Sequence, residues 1–325
     1  MTTPLKLMAE RIGRHPWKTA GLGSGLVLGA LAAINGAAAR RAERRHPPEG
    51  RFESIDGVGV HYREAGEGRP VVLLHGNGAM AEDFVLSGLF DRLARRYHVV
   101  APDRPGFGHT ERPRDRTWTP RAQAELVRGL MARLGLRNPI VIGHSWGTLV
   151  AVALALETDA LLRGLVLLSG YYYPTRRPDV VLFSGPAMPV LGDVARHTVA
   201  PVLGRVLAPV VFKQVFAPLP VPRRFETGFP RDLALRPAQI RASAEDTAMM
   251  VPAAGAFEGR YRDLRLPVAI LAGAGDRVVS PDDHAVRLRG DIRGSALHVL
   301  PGIGHMIHYA APDRIAEVVS RMAPP

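Results

Sequence analysis

Three residues far apart in the chain together have the types needed for acyl transfer. Gly143-His144-Ser145-Trp146-Gly147 reads G-x-S-x-G, directly after the β-branched run Ile140-Val141-Ile142 and at the start of the helical stretch Trp146–Glu157. Small residues on both sides suit a sharp strand-to-helix turn that lifts the serine hydroxyl above a sheet, beside the free N–H groups of a helix start. A serine hydroxyl is a poor nucleophile unless a base takes its proton and a third group holds that base. Asp276, in Gly273-Ala274-Gly275-Asp276, and His305, in Gly302-Ile303-Gly304-His305, each follow an apolar run that reads as a strand, Val268–Gly273 and Ala296–Leu300. Each has an ordinary reading alone, Ser145 as a helix cap and His305 as a packed histidine. Asp282, Asp283 and His308 are the substitutes, although both aspartates fall at a helix start, where a carboxylate is favoured anyway. The chain order Ser, Asp, His, in register with three strand ends, selects Ser145, Asp276 and His305 as the catalytic residues.

Charge developing on a substrate oxygen needs donors aimed at it. His75-Gly76-Asn77-Gly78 closes the run Val71–Leu74 and offers the backbone N–H of Asn77, while Trp146 offers the N–H directly after the nucleophile. His75, Gly76 and Tyr171 are candidate substrate contacts. The tetrapeptide also fits a plain glycine-rich turn, and Tyr171-Tyr172-Tyr173 fits aromatic packing at a hinge. His61, His75 and His144 lack metal-ligand spacing and read as structural, so no metal and no cofactor is expected.

Positioning these residues takes alternating strands and helices. Arg51–Ile55 and Val58–Glu64 flank Asp56-Gly57, a hairpin signal. Val71–Leu74, Tyr97–Ala101, Ile140–Ile142, Leu165–Ser169, Val268–Gly273 and Ala296–Leu300 read as strands, and Ala81–Arg95, Pro120–Leu134, Trp146–Glu157, Pro281–Arg289 and Pro312–Met322 as helices. Such alternation implies a mostly parallel sheet with helices on both faces and ligands beyond the strands' carboxyl ends. It stops between Tyr171 and Arg265, too long a stretch for a bare loop, which predicts an inserted helical lid over residues 171–265 within a core of 51–170 and 266–325. The Val, Leu, Phe, Met and Pro residues of Val180–Leu219 would cover an apolar cleft or pack the lid on the core.

From Arg51 to Met322 the chain resembles the α/β-hydrolase fold superfamily. The resemblance is carried by the His75-Gly76 turn, the Asp103-Arg104-Pro105-Gly106-Phe107-Gly108 loop, the elbow at Ser145, Asp276 and His305. Thr148 stands where many relatives have a second glycine. The resemblance implies a cap where 171–265 lies and cofactor-free hydrolysis of esters or similar acyl compounds. Haloalkane dehalogenases and epoxide hydrolases share the fold but carry aspartate at the nucleophile position, which Ser145 argues against. Serine-bearing relatives span esterases, lipases, amidases, carbon–carbon bond hydrolases of ring-cleavage products, and haloperoxidases or perhydrolases. The expected function is a serine hydrolase cleaving esters of a hydrophobic substrate. The other enzyme readings, and a hydrolase-fold binding protein that does not turn over, stay open.

Composition narrows the remainder. With 46% apolar and 22% charged residues among 325, the chain is neither disordered nor a multi-span membrane protein. The absence of cysteine removes disulfide frameworks, thiol nucleophiles and cysteine-zinc sites. The net charge of +12 is spread out, without a basic stripe interleaved with aromatics, so a nucleic-acid partner is not expected. Thr19–Ala39 carries no charge and is bracketed by Lys6, Arg11, Arg14 and Lys18 before and Arg40, Arg41, Arg44 and Arg45 after. That is long enough to cross a bilayer, although it is Ala/Gly-rich and Asn35 weakens it. A single membrane anchor, a signal peptide cut near Ala37 and Ala39, and a soluble helical extension are the three readings. Arginines directly after the cut would hinder translocation, which favours the anchor. Gly21, Gly25 and Gly29 line one helix face. His46–Gly50 reads as a stiff linker that closes an N-terminal segment of residues 1–50.

Overall fold

The computed structural model describes residues 16–323 except residue 159. Eight strands form one sheet: β1 (Arg51–Ile55), β2 (Val58–Ala65), β3 (Pro70–Leu74), β4 (His98–Pro102), β5 (Ile140–His144), β6 (Gly164–Leu168), β7 (Val268–Gly273) and β8 (Ala296–Leu300). Their order is β1-β2-β4-β3-β5-β6-β7-β8. The β1–β2 and β2–β4 pairs are antiparallel, and every pair from β4 through β8 is parallel. The β1–β2 hairpin turns at Asp56 and Gly57, both with positive φ.

Side-chain alternation divides the core between the two faces of the sheet. Val71 and Leu73 of β3 pack on one side with α2 (Glu82–Ser87), α3 (Leu89–Ala94) and the last long helix, α14 (Pro312–Met322). Val72 and Leu74 pack on the other with α4 (Pro120–Arg133) and α5 (Gly147–Glu157). Every residue of β5, β6 and β7 is buried, which is why these strands read as unbroken apolar runs.

The stretch expected as one helix over Ala81–Arg95 is two. Gly88 ends α2 with φ +78°, a left-handed conformation that glycine adopts without strain, and its N–H donates to the carbonyl of Val85. The expected helix Pro281–Arg289 begins as a π-turn over Asp282–Val286 and runs on into α12 (Arg287–Asp291).

Between β6 and β7 the chain leaves the sheet for six helices: α6 (Pro178–Phe183), α7 (Leu191–His197), α8 (Val199–Phe216), α9 (Arg223–Gly228), α10 (Arg231–Ala234) and α11 (Pro237–Phe257). The apolar residues of this cap do not all face inward. In α8 Pro201, Ala208 and Phe216 are buried, whereas Val202, Leu203, Val206 and Val210 point to solvent. The inner face is already filled by Phe212 and Phe216, whose rings meet Phe225, Phe229 and Tyr309.

Helix α1 spans Pro16–Arg45 and so continues beyond the uncharged run to the end of the Arg40–Arg45 cluster. The expected basic flank at Lys6, Arg11 and Arg14 lies outside the described residues. Asn35, which weakens a lipid-facing helix, is buried against the cap, donating to the carbonyls of His197 (3.0 Å) and Thr198 (2.6 Å). Ala42 packs with Met80 and Leu233.

Candidate active site

The parallel registers bring the strand ends level: Leu74 pairs with Gly143, His144 with Leu168 and Gly273 with Leu300. The turns that follow β3, β5, β7 and β8 therefore meet along one edge. Ser145 sits between β5 and α5 at φ +51°, a conformation that costs a non-glycine residue roughly 1 kcal/mol or more. The turn is held by the N–H of Ser145 on the Leu168 carbonyl (2.9 Å). Its own carbonyl accepts from the N–H (3.0 Å) and hydroxyl (2.6 Å) of Thr148. Gly147 must be glycine: a Cβ there would lie 2.6 Å from the carbonyl oxygen of His75 and closer still to that of Leu74.

Ser145, His305 and Asp276 meet in hydrogen-bond contact. His305 Nε2 lies 3.0 Å from Ser145 Oγ, and His305 Nδ1 lies 2.8 Å from Asp276 Oδ2. The other carboxylate oxygen of Asp276 accepts from the N–H groups of Val278 (2.8 Å) and Val279 (2.9 Å), which fixes the carboxylate plane. With Nδ1–H donating to the carboxylate, Nε2 presents a lone pair to the hydroxyl, the arrangement that lets a histidine remove a serine proton. The backbone N–H groups of Asn77, which follows the Gly76 beside Ser145, and of Trp146, which follows Ser145, engage no acceptor among the described residues.

Both of these residues are tied to the cap. The Asn77 side chain donates to the Ser243 carbonyl (3.1 Å) and Thr247 Oγ1 (2.8 Å), and the Trp146 indole N–H donates to the Asp246 carbonyl (2.8 Å), all on α11. The Asp246 carboxylate is fully buried against Arg104 Nη1 (2.6 Å), with Arg112 Nη2 at 3.1 Å and Gln123 Nε2 at 3.2 Å. Arg104 also donates to the carbonyls of His75 and Gly76. Burial lowers the Arg104 pKa, and the Asp246 carboxylate offsets only part of that shift. Sequence reasoning did not find this network, because Arg104 and Asp246 are 142 positions apart. The only trace was the Asp103–Gly108 loop. Asp103 anchors that loop with His61 Nδ1 (2.7 Å) and the N–H of Ala81 (2.7 Å). Burial alone would raise the Asp103 pKa, but the His61 ring and these donors hold it below the usual carboxylate range.

The histidines divide cleanly. His75 accepts from the N–H of Arg104 through Nε2 (2.9 Å) and donates through Nδ1 to the Gly76 carbonyl (2.8 Å). Burial and the nearby Arg104 lower its pKa to about 3, so it is a neutral turn brace. His144 Nε2 meets the His305 carbonyl (3.0 Å), and burial followed by His308 and His305 pushes its pKa well down. His308, the alternative base, is bonded instead to Asp83 (2.9 Å). Asp83, His144 and His308 are a buried group of metal-ligand types: His308 Nε2 is bonded to Asp83, which also accepts from the Tyr309 hydroxyl, and His144 Nε2 to the His305 carbonyl, while Nδ1 of both histidines has no partner among the described residues. Tyr171 is buried at the cap hinge, its hydroxyl accepting from the Thr175 N–H (2.9 Å) and its ring on His284 (4.5 Å).

A sheet of this order, with a nucleophile elbow, acid and base at three strand ends, defines a hydrolase of the α/β type. A sequence model of the alpha/beta hydrolase family matches residues 71–318, and the chain belongs to that family. It is similar to haloalkane dehalogenase 2 of Mycobacterium tuberculosis, 27% identical over 287 residues that cover 84% of this chain and 94% of the relative. It is also similar to 2-hydroxy-6-oxo-2,4-heptadienoate hydrolase of Pseudomonas putida, 27% identical over 264 residues that cover 79% and 90%. Among solved structures, a membrane phospholipase A described as a bacterial virulence factor shares the fold at TM-score 0.64 and 20% identity. That match covers 96% of this chain and 97% of the other, a span that reaches into α1.

Proposed function

We propose that this protein is a serine hydrolase that cleaves carboxylic esters of hydrophobic acyl groups through an acyl-enzyme. The observation that carries this reading is the unbroken contact from Ser145 Oγ through His305 to Asp276 at a strained elbow. Ser145 Oγ attacks the ester carbonyl carbon as its proton passes to His305 Nε2. The resulting oxyanion is held by the N–H groups of Asn77 and Trp146. Collapse expels the alcohol, which takes the proton from His305. Water then attacks the acyl-enzyme, giving its proton to His305, and a second collapse releases the acid and restores Ser145. Asp276 holds the imidazole in the tautomer this requires. Gly76, beside Ser145, borders the acyl carbonyl, and His75 acts through the turn it braces.

A hydrophobic acyl chain is supported by the membrane association argued from α1, which would bring the site to lipid-like esters. α1, uncharged over residues 19–39 with Leu26, Val27 and Ile34 exposed, supports membrane association through this segment. Among the described residues one helix, Val199–Phe216, is long and apolar enough to cross a membrane, a property that soluble proteins share. Ser145→Ala should abolish hydrolysis of p-nitrophenyl esters while the far-ultraviolet circular dichroism stays unchanged. Retained turnover in that variant would sink the mechanism. A second reading, hydrolysis of a carbon–carbon bond in a ring-cleavage product, is supported by the likeness to the Pseudomonas putida hydrolase. Turnover of such a dienoate without turnover of any ester would replace the first reading.

A further inference from the structure

We propose that α8 of the cap lies flat on the surface of a lipid bilayer, so that the cap as well as α1 docks the protein to the membrane. The proposal rests on the reading that α1 is membrane-embedded and extends it to a second surface.

Val199, Val202, Leu203, Val206 and Val210 recur at the spacing of a single helix face, and all five point to solvent, with Val206 at 68% and Val210 at 64% exposure. A helix packed on a water-soluble core puts its apolar stripe inward, so this stripe faces the wrong way for water. Leu191 and Val194 of α7 extend the same exposed surface. α8 does not cross the bilayer. Ala208 and Phe216 are buried, the Phe212 and Phe216 rings sit against α9, and α7 and α9 hold the helix on the domain at its two ends. A helix that is apolar on both sides, with one side held on the domain and the other turned outward, presents an apolar face to an interface.

Two observations select a bilayer over a second copy of the chain. The stripe is continuous with α1: Asn35 bonds the carbonyls of His197 and Thr198 at the start of α8, and Arg205 of α8 bonds Asn35 Oδ1 (3.3 Å). The point where α1 meets the domain is therefore the point where the exposed stripe begins, and a membrane that receives the uncharged half of α1 is brought alongside α8. The charges match as well. α8 carries Arg205 and Lys213 and no acidic residue, and exposed Arg40, Arg41 and Arg44 follow the uncharged stretch of α1. Basic residues at the rim of an apolar surface favour anionic headgroups.

The chain has no cysteine, so single sites can be labelled in the full-length protein without background. Leu203→Cys, Val206→Cys and Val210→Cys, with Arg121→Cys on α4 as the control, would carry a nitroxide. Collision with dissolved oxygen and with a water-soluble nickel chelate is then measured with and without vesicles of equal parts phosphatidylcholine and phosphatidylglycerol. The oxygen-to-nickel ratio should rise several-fold at 203, 206 and 210 and stay unchanged at 121. Protein that floats with the vesicles while the α8 labels remain water-accessible overturns this inference and leaves the α1 reading intact. Protein that does not float overturns both. Dipolar broadening between α8 labels without vesicles assigns the stripe to a second copy and also overturns the inference.

Discussion

Asp246→Ala should be among the most damaging substitutions outside the catalytic contact. The carboxylate and the Arg104 guanidinium are both fully buried, 2.6 Å apart. Without it, Arg104 keeps only neutral acceptors, the carbonyls of His75 (2.8 Å) and Gly76 (3.0 Å) and Gln123 Oε1 (2.9 Å). It also faces Arg112, which keeps Glu245 (2.7 Å) as its own partner. Removing one partner of a buried pair costs about 3–5 kcal/mol, because the remaining charge is uncompensated, and that is a large part of a domain's usual 5–15 kcal/mol or so. Asp246→Asn removes the same charge and turns its NH2 toward a donor, since one carboxylate oxygen accepts from Arg104 and the other from Arg112 and Gln123, so its loss should be of the same order, about 3–5 kcal/mol. Urea unfolding followed by circular dichroism measures both, with ester turnover recorded below the transition. Turnover should fall along with stability in the alanine variant, since α11 also braces Asn77 and Trp146. An Asp246→Ala protein within about 1 kcal/mol of the parent would refute the assignment of this pair as the main lock between cap and core.

Asp276→Asn should lower kcat by roughly 10⁴-fold with little loss of stability. The amide oxygen can keep the Val278 and Val279 donors, while its NH2 turns the His305 tautomer the wrong way, as stopped-assay kinetics on the two proteins would reveal. Gly147→Ala should cost about 1–3 kcal/mol or more, because its Cβ meets the carbonyl oxygens of Leu74 and His75 and backbone must move; thermal unfolding tests this. Stability should also fall with acid. His75 and His284 have folded-state pKa values of about 3 and about 4, against 6.5 ordinarily, chiefly through burial, and His144 is likewise depressed. The unfolded chain then binds more protons below pH 6.5, so stability present above that value is lost as the pH drops toward 4, by up to about 1.4 kcal/mol per pH unit for each histidine. Urea midpoints that hold constant between pH 7 and pH 4.5 would contradict this.

The fold was legible because burial on both faces writes parallel strands as short unbroken apolar runs, and β5, β6 and β7 do this over their whole length. Ser145 and Asp276 were legible because each closely follows such a run, whereas His305 lies five positions beyond β8, a half-exposed edge strand, and was legible from the chain order Ser, Asp, His. What stayed hidden depends on direction or on distant partners. The apolar content of α8 gave no sign that its stripe points outward, since composition does not say which face the cap buries. Asp83 gave no sign that it would take His308 from the solvent, being 225 positions away. Gly88 was visible, but its left-handed turn inside an otherwise helical stretch is decided by how α2 and α3 each reach the sheet.

The most direct measurement is labelling of the purified full-length protein by a fluorophosphonate, beside Ser145→Ala and His305→Ala, with the modified peptide located by mass spectrometry. The account expects one phosphonyl group per chain on Ser145, no labelling of Ser145→Ala, and slow labelling of His305→Ala. Folded protein that fails to react, or that reacts at another serine with Ser145 untouched, would contradict it.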